Sequence, residues 1–340
     1  MMIIDFRSDT FTRPTPGMLR AMSTASTGDD VFGEDPSVNQ LESTMAAYFG
    51  KEAALYCPSG TMSNQIAIKV HTQPGDEVIC SDLAHVYIYE GGGIAFNAGA
   101  QVRALEGDRG MITAAQVAAA INPDDVHKAT TSLVCLENTS NRGGGCCYDI
   151  EEINRIKNVC RDNGLKLHLD GARLFNALVA TGENPKTFGE LFDSISVCLN
   201  KGMGCPMGSV LLGSAAFIKS ARRIRKKLGG GLRQAGYMAA TGLYAIDHHI
   251  ARLAEDHHHA KQIAKYLLQK TFVGHMLPVE TNILIFDVQD TWTPKRFAEY
   301  MKKEGILVMA ISDTQVRIVT HLDITPEMVE RTCAVISQME

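Results

Sequence analysis

The stretch SLVCLENTSNRGGGCCYDIEEINRIKNVCRDNGLKLHLDGARLF (132–175) decides the fold. It holds two short apolar runs, SLVCLE (132–137) and LKLHLD (165–170), each of a length that suits a buried strand. Between them Ile153, Ile156, Val159 and Cys160 recur at helical spacing. Asp149 and Glu152 are placed for a capping box and Gly164 for the C-terminal cap. Strand, helix, strand at this cadence predicts a βαβ unit with parallel strands.

Working outward, EAALYC (52–57), EVIC (77–80), SISVCLN (194–200) and SVLLG (209–213) continue the pattern. They predict a mostly parallel sheet flanked by helices. GYMAATGLYAIDHHIARLAEDHHHAKQIAKYLLQ (236–269) reads as one long linking helix. NILIFDV, a helix from Thr293-Pro294 to near Gly305, ILVMAI, QVRIVT and a helix opening at Thr325-Pro326 follow. The expected organisation is an N-terminal arm and large α/β domain over 1–245, then a small α+β domain over 246–340.

Composition narrows the class. The 340 residues are 45% hydrophobic and 21% charged, which argues against disorder and fibrous repeats. A net charge of −5 gives no general attraction to nucleic acid. The opening MMIIDFRSDTFTRP mixes charges with its few apolar residues and reads as neither signal nor anchor, and no run is long enough for a membrane helix. Nine cysteines without a CxxC pair suggest reduced thiols and a cytoplasmic protein.

Parallel sheets of this kind bind ligands beyond the carboxyl ends of their strands. Lys201 follows SISVCLN and precedes a Gly-Met-Gly turn there, where burial suits an imine-forming amine. Asp170 ends LKLHLD, with Arg173 three residues on. A carboxylate can pair with a protonated pyridine nitrogen and an arginine can reach a ring's phenolic oxygen. Asp170 and Lys201 on neighbouring strand ends therefore point to pyridoxal 5′-phosphate. CPSGTMSNQIAIKV offers a strand, a turn at Pro58-Ser59-Gly60 and a helix from about Thr61, which reads either as an ordinary capped helix or as a site whose free amides and Thr61 hydroxyl hold the phosphate. RRIRKKLGGGLRQAG, with Lys226 and Arg233, reads either as a solvated face or as a second anion contact. His85, after EVIC, would stand at the same edge, able to stack on the ring and to move protons.

Many further motifs in the same order carry a resemblance. They include RSDT (7–10), GDDVFGEDP (28–36), AHVYIYEGGG (84–93), LENT (136–139), HLDGARLFNA (168–177), NKGMGCPMGSVL (200–211), GGGLRQAG (229–236) and VRIVTH (316–321). The chain resembles the L-threonine aldolases of the aspartate-aminotransferase-like, fold type I pyridoxal-phosphate enzymes. The resemblance implies a seven-stranded large-domain sheet and retro-aldol cleavage of L-threonine, L-allo-threonine and related β-hydroxy-α-amino acids to glycine and an aldehyde. By position it gives Lys201 the bond to the cofactor, Asp170 the pyridine nitrogen and Arg173 the phenolic oxygen. Gly60 and Thr61 would hold the phosphate, with Arg233 and Lys226 adding contacts from the same or a neighbouring subunit. His85 would stack and is the favoured base, with His127 or a water as the alternative. Ser8 and Arg317, with Arg173, would bind the substrate carboxylate, Tyr89 and His127 would stand near its side chain, and Glu90 would adjoin the stacking site. A homotetramer with shared active sites is implied. The chain departs from the commoner pattern at Asn200, Cys205 and Ser140.

Three other readings compete: a β-eliminating lyase on the same frame, a non-catalytic paralogue, and a metal-binding protein. The last would use His248, His249, His257, His258 and His259 of the linking helix, although adjacent helical residues point about 100° apart.

Overall fold

A computed structural model describes residues 3–340. Its strands are β1 (Ile4–Asp5), β2 (Ala53–Cys57), β3 (Glu77–Ser81), β4 (Gln101–Leu105), β5 (Thr131–Glu137), β6 (Lys166–Gly171) and β7 (Ser194–Cys198). After these come β8 (Ser209–Gly213), β9 (Val273–Met276), β10 (Ile283–Val288), β11 (Ile306–Leu307), β12 (Met309–Ala310) and β13 (Gln315–Val319). The helices are α1 (Pro16–Ser23), α2 (Pro36–Phe49), α3 (Gly60–His71), α4 (His85–Ile88), α5 (Ala114–Ala120), α6 (Ile150–Asp162) and α7 (Leu174–Thr181). They continue with α8 (Pro185–Leu191), α9 (Ala215–Lys227), α10 (Gly236–His248), α11 (Leu253–Leu267), α12 (Pro294–Lys303) and α13 (Pro326–Ser337).

Seven strands form the large sheet in the order β2-β8-β7-β6-β5-β3-β4. Only β8 runs against the rest, pairing antiparallel with β2 and β7. Helices cover both faces, so β3, β7 and β8 are buried at every residue and read as continuous apolar runs. β4 lies at the sheet edge with a partly exposed QVRAL, which is why its sequence carries no such run. β12, β13, β10 and β9 form a second, four-stranded antiparallel sheet.

The structure corrects several local expectations. The linking helix is two helices, α10 and α11, broken by a turn over residues 249–252. At the start of α6, Asp149 caps the amide of Glu151, but Glu152 does not close the box; it accepts from the amide of Ala114 and from Arg155. Gly164 does end that turn in the left-handed region, at φ 70°. ILVMAI splits at Val308: β11 pairs with β1, and β12 pairs with β13. The N-terminal arm accordingly packs Ile4 and Phe6 into the same apolar core as Phe286, Phe297 and Ile318 of the C-terminal part. A boundary at 245/246 leaves those arm residues seated on the smaller unit.

The cationic run on α9 is neither wholly solvated nor aimed at the ligand edge. Arg225 is buried, paired with Asp30 at 2.8 Å and donating to the carbonyl of Tyr56, while Arg222 pairs with Glu42. Burying Arg225 is tolerable because carboxylate and carbonyl both meet it.

Helices α2 and α8 meet at Gly189, where an added Cβ would stand 1.7 Å from the carbonyl oxygen of Phe49. Gly182 ends α7 at φ 74° with open space beside it. Gly189→Ala should cost about 2 kcal/mol or more by overpacking. Gly182→Ala should cost about 1 kcal/mol through backbone strain alone. Urea-unfolding midpoints of the two variants check the order; equal midpoints would mean that α2 and α8 part freely.

Candidate active site

Five strand ends converge on one edge of the large sheet. β2 runs into Ser59-Gly60, β3 into His85, β5 into Asn141, β6 carries Asp170 into Arg173, and β7 runs into Lys201. A cavity of about 140 Å³ opens there, lined by Ser59, Gly60, Thr61, Asn64, His85, Glu90, Asp170, Ala172, Cys198, Asn200 and Lys201. A larger groove of about 770 Å³ between α12 and the β11–β12 segment holds none of these side chains.

Ser59 caps α3 through the amide of Met62, and among the described residues the amides of Gly60 and Thr61 find no acceptor. They offer an anion site at a helix start. Gly60 is required by packing as well, since a Cβ would lie 2.5 Å from Cys198 Sγ. Asp170, on the floor, accepts from the amide of Ala172 at 3.1 Å and from Asn64 Nδ2 at 2.9 Å. Asn200 Oδ1 is buried without a partner. An anion cradle, a buried carboxylate, a lysine and an orphaned polar atom around one cavity fit the phosphate, ring nitrogen and aldehyde of pyridoxal 5′-phosphate.

The site reaches further than the sequence reading did. His85 Nδ1 donates to Glu90 Oε1 at 3.0 Å, which leaves Nε2 to face the cavity chemistry. Glu90 is buried and also accepts from Asn64 at 3.0 Å and Gln65 at 2.7 Å. Burial opposes a charged His85, but the Glu90 hydrogen bond and the charges of Asp170 and Glu90 outweigh it and raise the pKa above 6.5. Tyr89 lies beside His85, ring centroids 5.7 Å apart. Glu137, at the end of β5, accepts from the amides of His85 (2.7 Å) and Asn141 (2.8 Å). Asn141 Oδ1 in turn accepts from Arg317 Nη1 at 3.0 Å.

Arg317 is pulled down to about 10 by burial and by the charge of Arg173, and its Nε is buried without a partner. Its Nη2 donates to the carbonyl of Arg7, so Arg317 and the Ser8 segment stand together. Arg173 keeps only part of its guanidinium for a phenolic oxygen. Its Nε and Nη2 are spent on Asp9 at 2.7 and 2.8 Å, leaving Nη1. Burial alone would raise Asp9, but Arg173 holds it at about 2. Asp9 was legible only as part of RSDT, with nothing local to mark its partner 164 residues away.

Of the assigned residues, Ser8, Tyr89, Arg173 and Arg317 do not line the cavity itself but neighbour or bond to the residues around it, and three more stand apart from it. His127 sits on the loop entering β5, at the opposite end of the sheet, its ring 85% exposed and bonded to Asp125. Lys226 and Arg233 are exposed, and Arg233 pairs with Asp29. On α10, α11 and the turn between them, two of the histidines take other partners: His249 bonds the carbonyl of Met203, and His257 bonds Asn176. Among the described residues the one cluster of metal-ligand type is His85, Glu90 and Asp170, whose carboxylates already accept from Asn64 and Gln65.

Two outcomes follow for acid and base. Glu90→Gln keeps an acceptor for His85 Nδ1 but removes the charge, so the acid limb of kcat/KM should move to lower pH. An unmoved limb would detach that titration from His85. His168, wholly buried on β6, is depressed from 6.5 to about 4 by burial. The unfolded chain binds the extra proton first, so stability should fall as pH drops from about 6.5 through 4. Urea titrations across that window check it, with His168→Gln flattening the slope.

A β-eliminating lyase family profile matches residues 5–291. A low-specificity L-threonine aldolase of Escherichia coli is 41% identical over 333 residues, covering 98% of each chain. Low-specificity L-threonine aldolase 1 of Arabidopsis thaliana is 40% identical over 345 residues, covering 99% of this chain and 96% of its own. The solved threonine aldolase of Leishmania major superposes with a TM-score of 0.86 at 21% identity, covering 98% of this chain and 99% of its own. That likeness speaks for the fold, an aspartate-aminotransferase-like fold type I architecture. With this fold, this cavity and this end-to-end identity, the chain belongs to the pyridoxal-phosphate-dependent β-eliminating lyase family.

Proposed function

We propose that the cavity at Lys201 is the active site of an aldehyde-lyase that cleaves L-threonine to glycine and acetaldehyde. The observation that carries this is the convergence of Lys201, Asp170 and the His85–Glu90 pair on one cavity, in a chain about 40% identical over its length to threonine aldolases. L-allo-threonine and related β-hydroxy-α-amino acids are proposed as further substrates.

Bound pyridoxal phosphate supplies the sink for the electrons of the broken Cα–Cβ bond. Lys201 would supply the amine that holds it, Asp170 would accept from its ring nitrogen, and the first amides of α3 would hold its phosphate. Arg317, with Ser8 beside it, binds the substrate carboxylate; its partnerless Nε is the donor left for that purpose. Fixing the carboxylate would also fix the orientation of the bonds at Cα. His85 Nε2 takes the β-hydroxyl proton, and Glu90 steadies the charged imidazole that results. Tyr89, half exposed beside His85, borders the side-chain space.

The family's own description favours one second reading, β-elimination, in which Lys201 removes the Cα proton. Incubation with L-threonine separates the two. Acetaldehyde with glycine supports cleavage, and 2-oxobutyrate without acetaldehyde would sink it. Lys201→Ala should lose the visible absorption of the bound cofactor and about a thousandfold or more in kcat.

A homotetramer with shared sites is the assembly proposed. Phe32 and Phe96 support it, being 72% and 89% exposed, as do His127, Lys226 and Arg233, which stand outside their own chain's cavity. No described helix is long and apolar enough to cross a membrane. A cytoplasmic location is proposed, supported by nine free cysteines. We also place the domain boundary at 245/246, with the N-terminal arm crossing it.

A further inference from the structure

Beneath α3 runs a line of polar contacts that the reaction chemistry leaves unused. His71 ends α3, Ser194 begins β7, His168 sits on β6 and Asn64 lies one turn into α3. His71 Nε2 is 2.8 Å from Ser194 Oγ, Ser194 Oγ is 2.8 Å from His168 Nδ1, and His168 Nε2 is 3.1 Å from Asn64 Oδ1. Ser194, His168 and Asn64 are buried. His71 stacks on Phe217 and lines a groove with Lys51, Lys157 and Lys166 at the opposite end of the sheet from Lys201.

The donor inventory of each group sets a direction. Asn64 meets two carboxylate oxygens, at 3.0 Å on Glu90 and 2.9 Å on Asp170, so its NH2 group faces them. Its Oδ1 must then accept, which puts a proton on His168 Nε2. A neutral His168 has a lone pair on Nδ1 and accepts from Ser194, whose single proton is thereby spent. Ser194 in turn accepts from His71 Nε2. Burial keeps both rings neutral, drawing His168 to about 4 and His71 to about 3. The opposite direction would reverse every member at once and present Asn64 Oδ1 to two carboxylates, which is repulsive unless both are protonated. A side-chain amide does not hand a proton on, so the line orients and does not conduct. Bonds aligned in one direction also polarise one another.

We propose that His71, Ser194 and His168 are positioning residues that lock the Asn64 amide with its NH2 group toward Asp170 and Glu90. They thereby keep Asp170 an acceptor for the cofactor's ring nitrogen and Glu90 an acceptor for His85. The inference rests on the pyridoxal-phosphate reading of the cavity.

Side-chain reach supplies the test. Gln at 168 can place an amide NH2 where Nε2 stands, whereas Asn reaches only as far as Nδ1. His168→Asn should weaken cofactor binding and lower kcat, each about tenfold, with KM for threonine little changed. His168→Gln should stay within about threefold of the parent. Equal behaviour of the two variants, whether both intact or both impaired, overturns the proposal. Nitrogen-15 spectra of histidine-labelled holoenzyme at pH 7, with His168 assigned by its loss in the Gln variant, give an independent readout. They should show a neutral ring protonated on Nε2; an Nδ1–H tautomer or an imidazolium overturns the proposal. A parent protein that binds no pyridoxal phosphate would refute the reading of the cavity instead, and the tautomer would still decide the direction of the line.

Discussion

The side-chain amide of Asn64 stands between two buried carboxylates, and much of the site depends on it. Glu90 and Asp170 bring their oxygens within 4.8 Å of each other and of a His85 nitrogen, in surroundings from which water is largely excluded. Like charges this close cannot both persist without donors. Asn64 supplies one donor to each, Gln65 another to Glu90, and the His85 ring completes the balance. Satisfying these groups requires α3 to lie directly on the sheet. Small residues permit that approach, with the hydroxyls of Ser63, Ser196 and Ser209 grouped under the helix. One helix thus delivers anion-binding amides at its start and the carboxylate bridge a turn later.

A second joint holds the substrate side. Asp9 lies on the N-terminal arm, which is paired with β11 of the smaller unit, yet its carboxylate grips Arg173 of the large one. Both partners are buried, so losing either would strand a charge. The same arm lends the carbonyl of Arg7 to Arg317, and Glu137 reaches Arg317 through Asn141. The Arg317 guanidinium is therefore oriented from the arm, from the end of β5 and from its own strand, and Glu137 also accepts from the amide of His85. Arg317 and His85 are thus linked through one residue, so that on the proposed roles the orientation of the substrate carboxylate is tied to the position of the base.

Much of the fold was legible because burial leaves a local signature. Six of the seven large-sheet strands announced themselves as apolar runs; the seventh, β4, lies at the edge with its side chains half in solvent. The linking helix misled because its pattern continues across residues 249–252, where the chain turns to bring His249 onto the carbonyl of Met203. Lys201, Asp170, Gly60 and His85 could be found because each follows or ends a strand, where a parallel sheet gathers ligands. His168 could have been found too, since alternation places it on the same face of β6 as Asp170. Glu90 was placed beside the stacking site by resemblance alone and Asn64 not at all, because a polar residue in a glycine-rich loop or on a helix looks solvated until its neighbours are known.

What the sequence determined by itself is the βαβ cadence, the strand-end edge where a cavity forms and the residue types that line it. These are properties of single segments, set by periodicity, caps and strand ends. Only the tertiary structure decided which of those residues share a cavity, how their charges are met, and that His127, Lys226 and Arg233 lie outside it in their own chain. Hydrogen bonds and ion pairs between segments as far apart as Asp9 and Arg173 leave no periodic trace, because they depend on where folding brings two surfaces together.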